Sequence, residues 1–333
     1  MTNGNDALNA LLSALHSADS VLLFCHVSPD GDTLGSALAL SLLLKERGVV
    51  SRIVLDGAVP ENLAFLPDCS FICKPEQIKP SFNTLAIAVD VSSLERMGAG
   101  AALFAQAAMT AVIDHHGTNP CFGQINWIDA DAPATATLIF QLYQTLGAEV
   151  SVQAAICLYT ALATDTGNFL YQSMNADGFR MMATLMEAGL PLAKYGRMLF
   201  RQKRESFVRL LGATLPSLRL LCGGKVAGLR VSLESTRAAG ADSEDMEGVV
   251  NYAIDLNGVG MAYFAHEKEP GATKVSFRAL SPYRIDQVAA SFGGGGHRLA
   301  AGCTLSLPLE QAAEQAEQAL TRAWAAQNGT DEQ

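Results

Sequence analysis

Three times within its first 116 residues this chain runs through an apolar stretch and stops on histidine or aspartate: Val21-Leu-Leu-Phe-Cys-His26, Leu85-Ala-Ile-Ala-Val-Asp90 and Ala111-Val-Ile-Asp114. Short runs that are apolar at nearly every position, rather than at alternate ones, read as strands buried on both faces, as in a parallel sheet covered by helices. A helix over 35–47 and a further strand over 52–55 fit the same alternation. The expected fold is α/β, with a doubly wound, mainly parallel sheet. Its polar residues then lie at the carboxyl ends of the strands, where open α/β sheets place their ligands.

The pattern changes after Leu190, where a polar helical stretch carries Lys194, Arg197, Arg201, Lys203, Arg204 and Arg209. This is expected to be a connector, and a solvated helix face explains its charges better than a substrate track. Beyond it, two apolar runs meet at Gly223-Gly224 and predict a hairpin over 218–232. A helix over 243–256, strands over 260–265 and 274–280, a helix over 285–292 and a closing strand and helix complete a smaller α+β domain. The expected divisions are therefore 1–189, 190–215 and 216–328.

Four clusters carry the chemistry. In His26-Val-Ser-Pro-Asp30-Gly-Asp32 three ligating side chains fall within one turn. Imidazole with carboxylate suits Mn²⁺, Fe²⁺ or Zn²⁺, and carboxylates alone suit Mg²⁺; a helix N-cap formed by either aspartate explains the same residues equally well. Asp90 closes a strand, Asp114-His115-His116 closes another, and Asp165 follows a helical segment. A single strand-end aspartate is more often a turn residue, but capping alone does not account for four acid or histidine clusters on one sheet edge. Together they form a candidate two-cation cage, and two cations about 3.5–4 Å apart are suited to in-line displacement at phosphorus. Phosphoester hydrolysis is the reaction class implied.

A fifth element, Gly293-Gly-Gly-Gly-His297, follows a helix and precedes a strand. A dinucleotide fingerprint needs the opposite order, and a phosphate P-loop needs a following Lys and Ser/Thr. What remains is a flexible loop without side chains whose amides can approach an anion, beside His297 and Arg298.

Bulk properties narrow the class. The formal charge of −10 argues against a protein that holds long duplex nucleic acid. No stretch reads as an export signal or a membrane span. The seven cysteines are odd in number and form no C-x-x-C pair, so a reducing cytoplasm is expected, with Cys69 and Cys73 as ordinary thiols.

His26-x-x-Pro29-Asp30-Gly-Asp32, Asp90, Asp114-His115-His116 and Asp165 resemble the successive motifs of DHH phosphoesterases, and 293–297 resembles the DHHA1 signature. The resemblance spans nearly the whole chain and is nearest to the oligoribonuclease/pAp-phosphatase group. It implies a DHH catalytic domain and a DHHA1 substrate domain with the active site in the cleft between them. It implies two divalent cations, most simply Mn²⁺, with Mg²⁺ or Co²⁺ as substitutes. One would be held by His26, Asp30 and Asp90, the other by Asp32, Asp90, His115 and Asp165. His116 would face the scissile phosphate, with Asp114 supporting the histidines.

Ser276, Arg278, Gly294, Gly295, Gly296 and His297 would bind the substrate's far end. Arg96 would either contact substrate or pair with a nearby carboxylate. After Arg278, Ala279-Leu280-Ser281-Pro282 replaces the more polar turn usual in this group. The implied substrates are oligoribonucleotides of two to five residues and 3′-phosphoadenosine 5′-phosphate (pAp), and the implied assembly is a homodimer. Alternatives sharing the cage are a cyclic-dinucleotide or pApA phosphodiesterase and a RecJ-like single-strand exonuclease; an inorganic pyrophosphatase would lack the glycine-histidine element. A non-catalytic nucleotide-binding module would show gaps in the cage, and none is found.

Overall fold

The computed structural model describes residues 4–79 and 83–328. The chain divides into two compact units, one ending at Gln202 and the other beginning at Lys203.

In chain order the first unit contains α1 (Gly4–Ser17), β1 (Ser20–Phe24), α2 (Gly31–Glu46), β2 (Ser51–Val54), β3 (Thr84–Val89), α3 (Gly100–Phe104), β4 (Met109–Asp114), β5 (Ile125–Ile128), α4 (Thr135–Thr145), α5 (Val152–Asp165), α6 (Ala176–Glu187) and α7 (Leu192–Gly196). The strands form one sheet in the order β2-β1-β3-β4-β5, and every pairing is parallel. Alternate side chains feed opposite faces. Val21, Leu23, Leu85, Ile87, Val89, Ala111 and Ile113 join a core with α1, α2, α4 and α5, whereas Leu22, Phe24, Ala86, Ala88 and Val112 pack with Met97, Leu103 and Phe104. Burial on both sides is why these strands are apolar throughout.

α2 is almost entirely buried and lies against α5. Two glycines permit that approach: a Cβ on Gly31 would come within 2.2 Å of Thr164 Oγ1, and one on Gly35 within 2.4 Å of the Cys157 carbonyl oxygen. The helix starts at Gly31 rather than Gly35 because Asp30 caps it, its Oδ1 accepting from the amides of Asp32 (3.0 Å) and Thr33 (3.1 Å). β5 carries no run long enough to be read as a strand from the sequence.

The polar stretch after Leu190 is shared between the units. α7 and a π-helical turn at Arg197–Arg201 belong to the first, and α8 (Glu205–Thr214) begins the second. There follow β6 (Arg219–Leu221), β7 (Val226–Val231), α9 (Leu233–Ala238), α10 (Asn251–Ile254), β8 (Met261–Glu269), β9 (Ala272–Ala279), α11 (Asp286–Ser291), β10 (Gly295–His297), β11 (Ala300–Leu305) and α12 (Leu309–Asn328). The sheet order is β10-β11-β9-β8-β7-β6, antiparallel except for the parallel β7–β8 pair.

Two expectations are corrected here. The helix predicted over 243–256 shrinks to α10. Gly248 adopts φ +79, and upstream of it the Asp245 carboxylate accepts from the Asp242 amide (3.2 Å) and pairs with Arg204, holding turns instead. The glycine segment is only partly a loop, because Gly295–His297 pair with β11. Among the described residues no helix is long and apolar enough to cross a membrane, and the seven cysteines are free thiols.

Candidate metal centre

The three strands that end on polar residues lie side by side, β1-β3-β4, so their carboxyl ends bring His26, Asp90 and Asp114-His115-His116 to one edge. α2 adds Asp30 and Asp32 from its first turn, and α5 adds Asp165 from its last residue.

Asp30 resolves the choice between cap and ligand by using one oxygen for each. Oδ1 caps α2, and Oδ2 lies 3.6 Å from His26 Nε2. Asp32 is wholly buried: its Oδ1 accepts from Ser36 Oγ (2.8 Å) and the Ala136 amide (3.1 Å), and its Oδ2 from the Thr135 amide (2.7 Å). Asp90 sits at φ +60, an uncommon backbone conformation for a side-chain-bearing residue. Its Oδ1 accepts from Thr135 Oγ1 (2.9 Å) and lies 3.7 Å from His115 Nε2, while its Oδ2 lies 3.8 Å from His26 Nε2. His115 Nε2 is also 3.4 Å from Asp165 Oδ2 and 3.9 Å from Asp32 Oδ2.

The result is three groups whose ligand atoms lie within 4.8 Å of one another: His26, Asp30 and Asp90; Asp32, His115 and Asp165; and Asp90, His115 and His116. Asp90 belongs to two of them. The other ring nitrogen of each inner histidine faces a backbone carbonyl. His115 Nδ1 lies 3.2 Å from the Ala132 oxygen and His26 Nδ1 2.9 Å from the Val27 oxygen. The tautomer that donates from Nδ1 leaves the Nε2 lone pair pointing at the carboxylates, as a metal ligand requires. The guanidinium of Arg96 lies 3.2 Å from the same His26 Nδ1, which accepts from it only in the other tautomer.

The electrostatics show what is missing. Burial, then the charge of Asp165, pushes the Asp32 carboxyl up to about 7. Burial, then Asp32 and its neighbours, raises Asp90 well above the usual carboxylate range, and burial raises Asp165. For Asp30 burial is outweighed by His26 and the capping amides, and its proton affinity falls. Like charges gathered out of water are unfavourable unless a cation accompanies them. Hard carboxylate oxygens with imidazole nitrogens suit Mn²⁺, Fe²⁺ or Zn²⁺, so the donor set fits a divalent ion.

Asp114 stands behind this cluster. It is fully buried, accepts from His116 Nδ1 (2.7 Å), the His115 amide (2.9 Å) and Asn119 Nδ2 (2.6 Å), and is held below the ordinary range because these bonds outweigh its burial. Donating to Asp114 in turn raises the affinity of His116 for its proton. Asn119, Ser36, Thr135 and the Ala132 carbonyl were not singled out from the sequence. Ser36, four residues after Asp32 on one helix, is the only one of them with a local signal.

The other predicted residues assemble within the second unit. β10, β11 and β9 align His297 with Ala300 and Arg278 in one row, and Gly295 with Gly302 and Ser276 in the next. The two rows lie two residues apart, so Ser276, Arg278 and His297 share one face of the sheet, separated by small residues. Val275, Phe277, Ala301 and Cys303 point the other way into the core. Gly294 precedes β10, where a Cβ would come within 2.2 Å of the Gly302 oxygen, and Gly296 adopts φ +140.

Residues 20–162 match the N-terminal domain of the DHH family, and residues 223–327 match the DHHA1 domain. A Thermus thermophilus protein described as a bifunctional oligoribonuclease and PAP phosphatase, NrnA, is 35% identical over 311 residues, covering 91% of this chain and 91% of its own. The chain belongs to the NrnA family of DHH proteins. A second NrnA, from Bacillus subtilis, is 24% identical over 89% of this chain and 92% of its own length. Among solved structures, an exopolyphosphatase-related protein from Bacteroides fragilis superposes with a TM-score of 0.87 at 26% identity, covering 96% of both chains.

Proposed function

We propose that this NrnA-family chain is a divalent-cation-dependent phosphoesterase that shortens oligoribonucleotides of a few residues to mononucleotides and converts pAp to AMP. The observation that carries the reading is the set of carboxylate–imidazole groups interlocked through Asp90 and His115, in a chain that matches a relative so described over nine-tenths of both lengths. Two Mn²⁺ ions are assigned, one to His26, Asp30 and Asp90 and one to Asp32, Asp90, His115 and Asp165. Such ions acidify water and draw charge from phosphoryl oxygens.

The chain's own groups supply the rest. With Nδ1–H donated to Asp114, a bond that raises the ring's affinity for protons, His116 can present a proton on Nε2 to an oxygen of the phosphoryl group as charge builds there. Asp114 fixes the ring's direction and favours the doubly protonated form, while Asn119 and the His115 amide hold Asp114. In the second unit a guanidinium, a hydroxyl and an imidazole on one sheet face suit a second phosphate: Arg278 offers a two-pronged donor, and Ser276 and His297 one each. Small residues between them let the anion approach the strand backbone. A substrate that carries a second phosphate beside the scissile one offers a group to each unit, as short oligonucleotides and pAp do.

The test is side-by-side turnover with Mn²⁺ on pAp, an RNA dinucleotide, a long RNA, cyclic di-AMP and pyrophosphate. Fast hydrolysis of the first two with little on the others is the expected result. Preference for cyclic di-AMP would reassign the chain to a cyclic-dinucleotide phosphodiesterase, and preference for the long RNA to a processive exonuclease. Inactivity on all five would leave a nucleotide-binding module.

A further inference from the structure

A single stretch, residues 132–136, reaches three of the clustered side chains. Its Ala132 carbonyl faces His115 Nδ1, its Thr135 and Ala136 amides donate to the two oxygens of Asp32, and the Thr135 hydroxyl donates to Asp90 Oδ1. Thr135 is wholly buried and begins α4, an eleven-residue helix. The residue before it, Ala134, has no side chain able to cap that helix. Its first two free amides are met instead by Asp32, more than a hundred residues away in sequence, so a carboxylate of the cluster doubles as the helix's capping group.

Thr135 is the one side chain of this stretch that bonds to the cluster. Its partner Asp90 has a left-handed backbone, which aspartate tolerates better than most residues, and the Thr135 hydroxyl is a hydrogen-bond donor to its buried carboxylate. On its outer side Ala132 and Pro133 border a cavity of about 430 Å³. Ala132, Ala134 and Ala136 are packed in the core, and the hydrogen bonds to Asp32, Asp90 and His115 set the stretch's register against the cluster.

We propose that Thr135 is a positioning residue for cation binding: its hydroxyl aims Asp90 while the helix end it begins fixes Asp32, so the two carboxylates face the ions together. The proposal rests on the metal-dependent reading above. A hydroxyl that donates to Oδ1 consumes one lone pair of Asp90 and leaves Oδ2 free toward His26. Without the donor, that buried oxygen is unsatisfied, and the carboxylate can turn to seek another partner.

The experiment is calorimetric titration of the cation-free full chain with Mn²⁺ for the wild type, Thr135→Val, Thr135→Ala and Thr135→Ser, with kcat and KM measured on pAp. Val and Ala are expected to bind Mn²⁺ roughly tenfold to a hundredfold more weakly. They should lower kcat while leaving KM for pAp nearly unchanged, and Ser should restore both properties. Far-UV circular dichroism of the cation-free variants checks that each is folded; should Val overfill the site and unfold the chain, Ala carries the measurement. Wild-type affinity in Val and Ala overturns the role of Thr135 alone, and so does a loss in Ser as large as in Ala. A wild type that takes up no Mn²⁺ overturns the metal reading and this proposal with it.

Discussion

Under the proposed function, the two units would meet an anionic substrate in opposite ways. In the first, carboxylates are buried against one another, with Asp32 and Asp90 at most 2% exposed, and each is already held by hydrogen bonds. In the second, Ser276, Arg278 and His297 are half-exposed or exposed on a sheet face, and none of them bonds to another. The first arrangement concentrates negative charge and calls for cations; the second offers positive charge and hydroxyl to solvent. Chemistry is thus assigned to a preformed, strained cluster and recognition to an adaptable surface, and the two should fail differently when damaged.

The largest effect is expected from Asp90→Ala, which removes a carboxylate common to two of the groups. Turnover should be lost on every substrate, and activity above about one per cent of wild type would sink the two-cation assignment. Arg278→Ala should act on the other side of the comparison. It is expected to raise KM for a dinucleotide and for pAp by roughly tenfold to a hundredfold, as loss of a charge-assisted bond does, while a generic small phosphodiester is spared. Equal losses on both substrate types would remove Arg278 from recognition.

Asn119→Ala should loosen Asp114 and, through it, His116. A fall in kcat of about tenfold with KM unchanged is expected, and a change confined to KM would contradict that chain of contacts. The smallest effect concerns the cation-free protein. Asp32 and Asp90 hold protons more tightly in the folded chain than in the unfolded one, where aspartate titrates near pH 4. Between about pH 4 and pH 7 the native state therefore carries the extra protons, and its stability should decline as pH rises through that window. A scan in EDTA should show the melting temperature dropping by a few degrees, and saturating Mn²⁺ should abolish the slope. A melting temperature that rises over the same window would mean the carboxylates are already compensated.

What the sequence shows of this architecture follows the range of the forces involved. β1, β3 and β4 were legible because burial on both faces demands uninterrupted apolar runs, and the acids were legible because they stop those runs. The β6–β7 hairpin was legible because Gly223-Gly224 encode a turn locally. The helix expected over 243–256 was wrong because Gly248 and the bonds among Arg204, Asp242 and Asp245 override a favourable composition. β10 was read as a loop because its pairing with β11 is a tertiary choice that four glycines do not announce. Thr135 and Asn119 escaped for the same reason: their significance lies in contacts with Asp90 and Asp114 that no spacing rule encodes.

The two oxygens of Asp30 divide their duties, one closing the end of α2 and the other facing the cluster. The start of that helix is consequently secured whether or not an ion is present. Together with the clasp of α4 on Asp32, this ties the cluster to the ends of two helices. A cluster held in this way is expected to take up a divalent ion without a folding step.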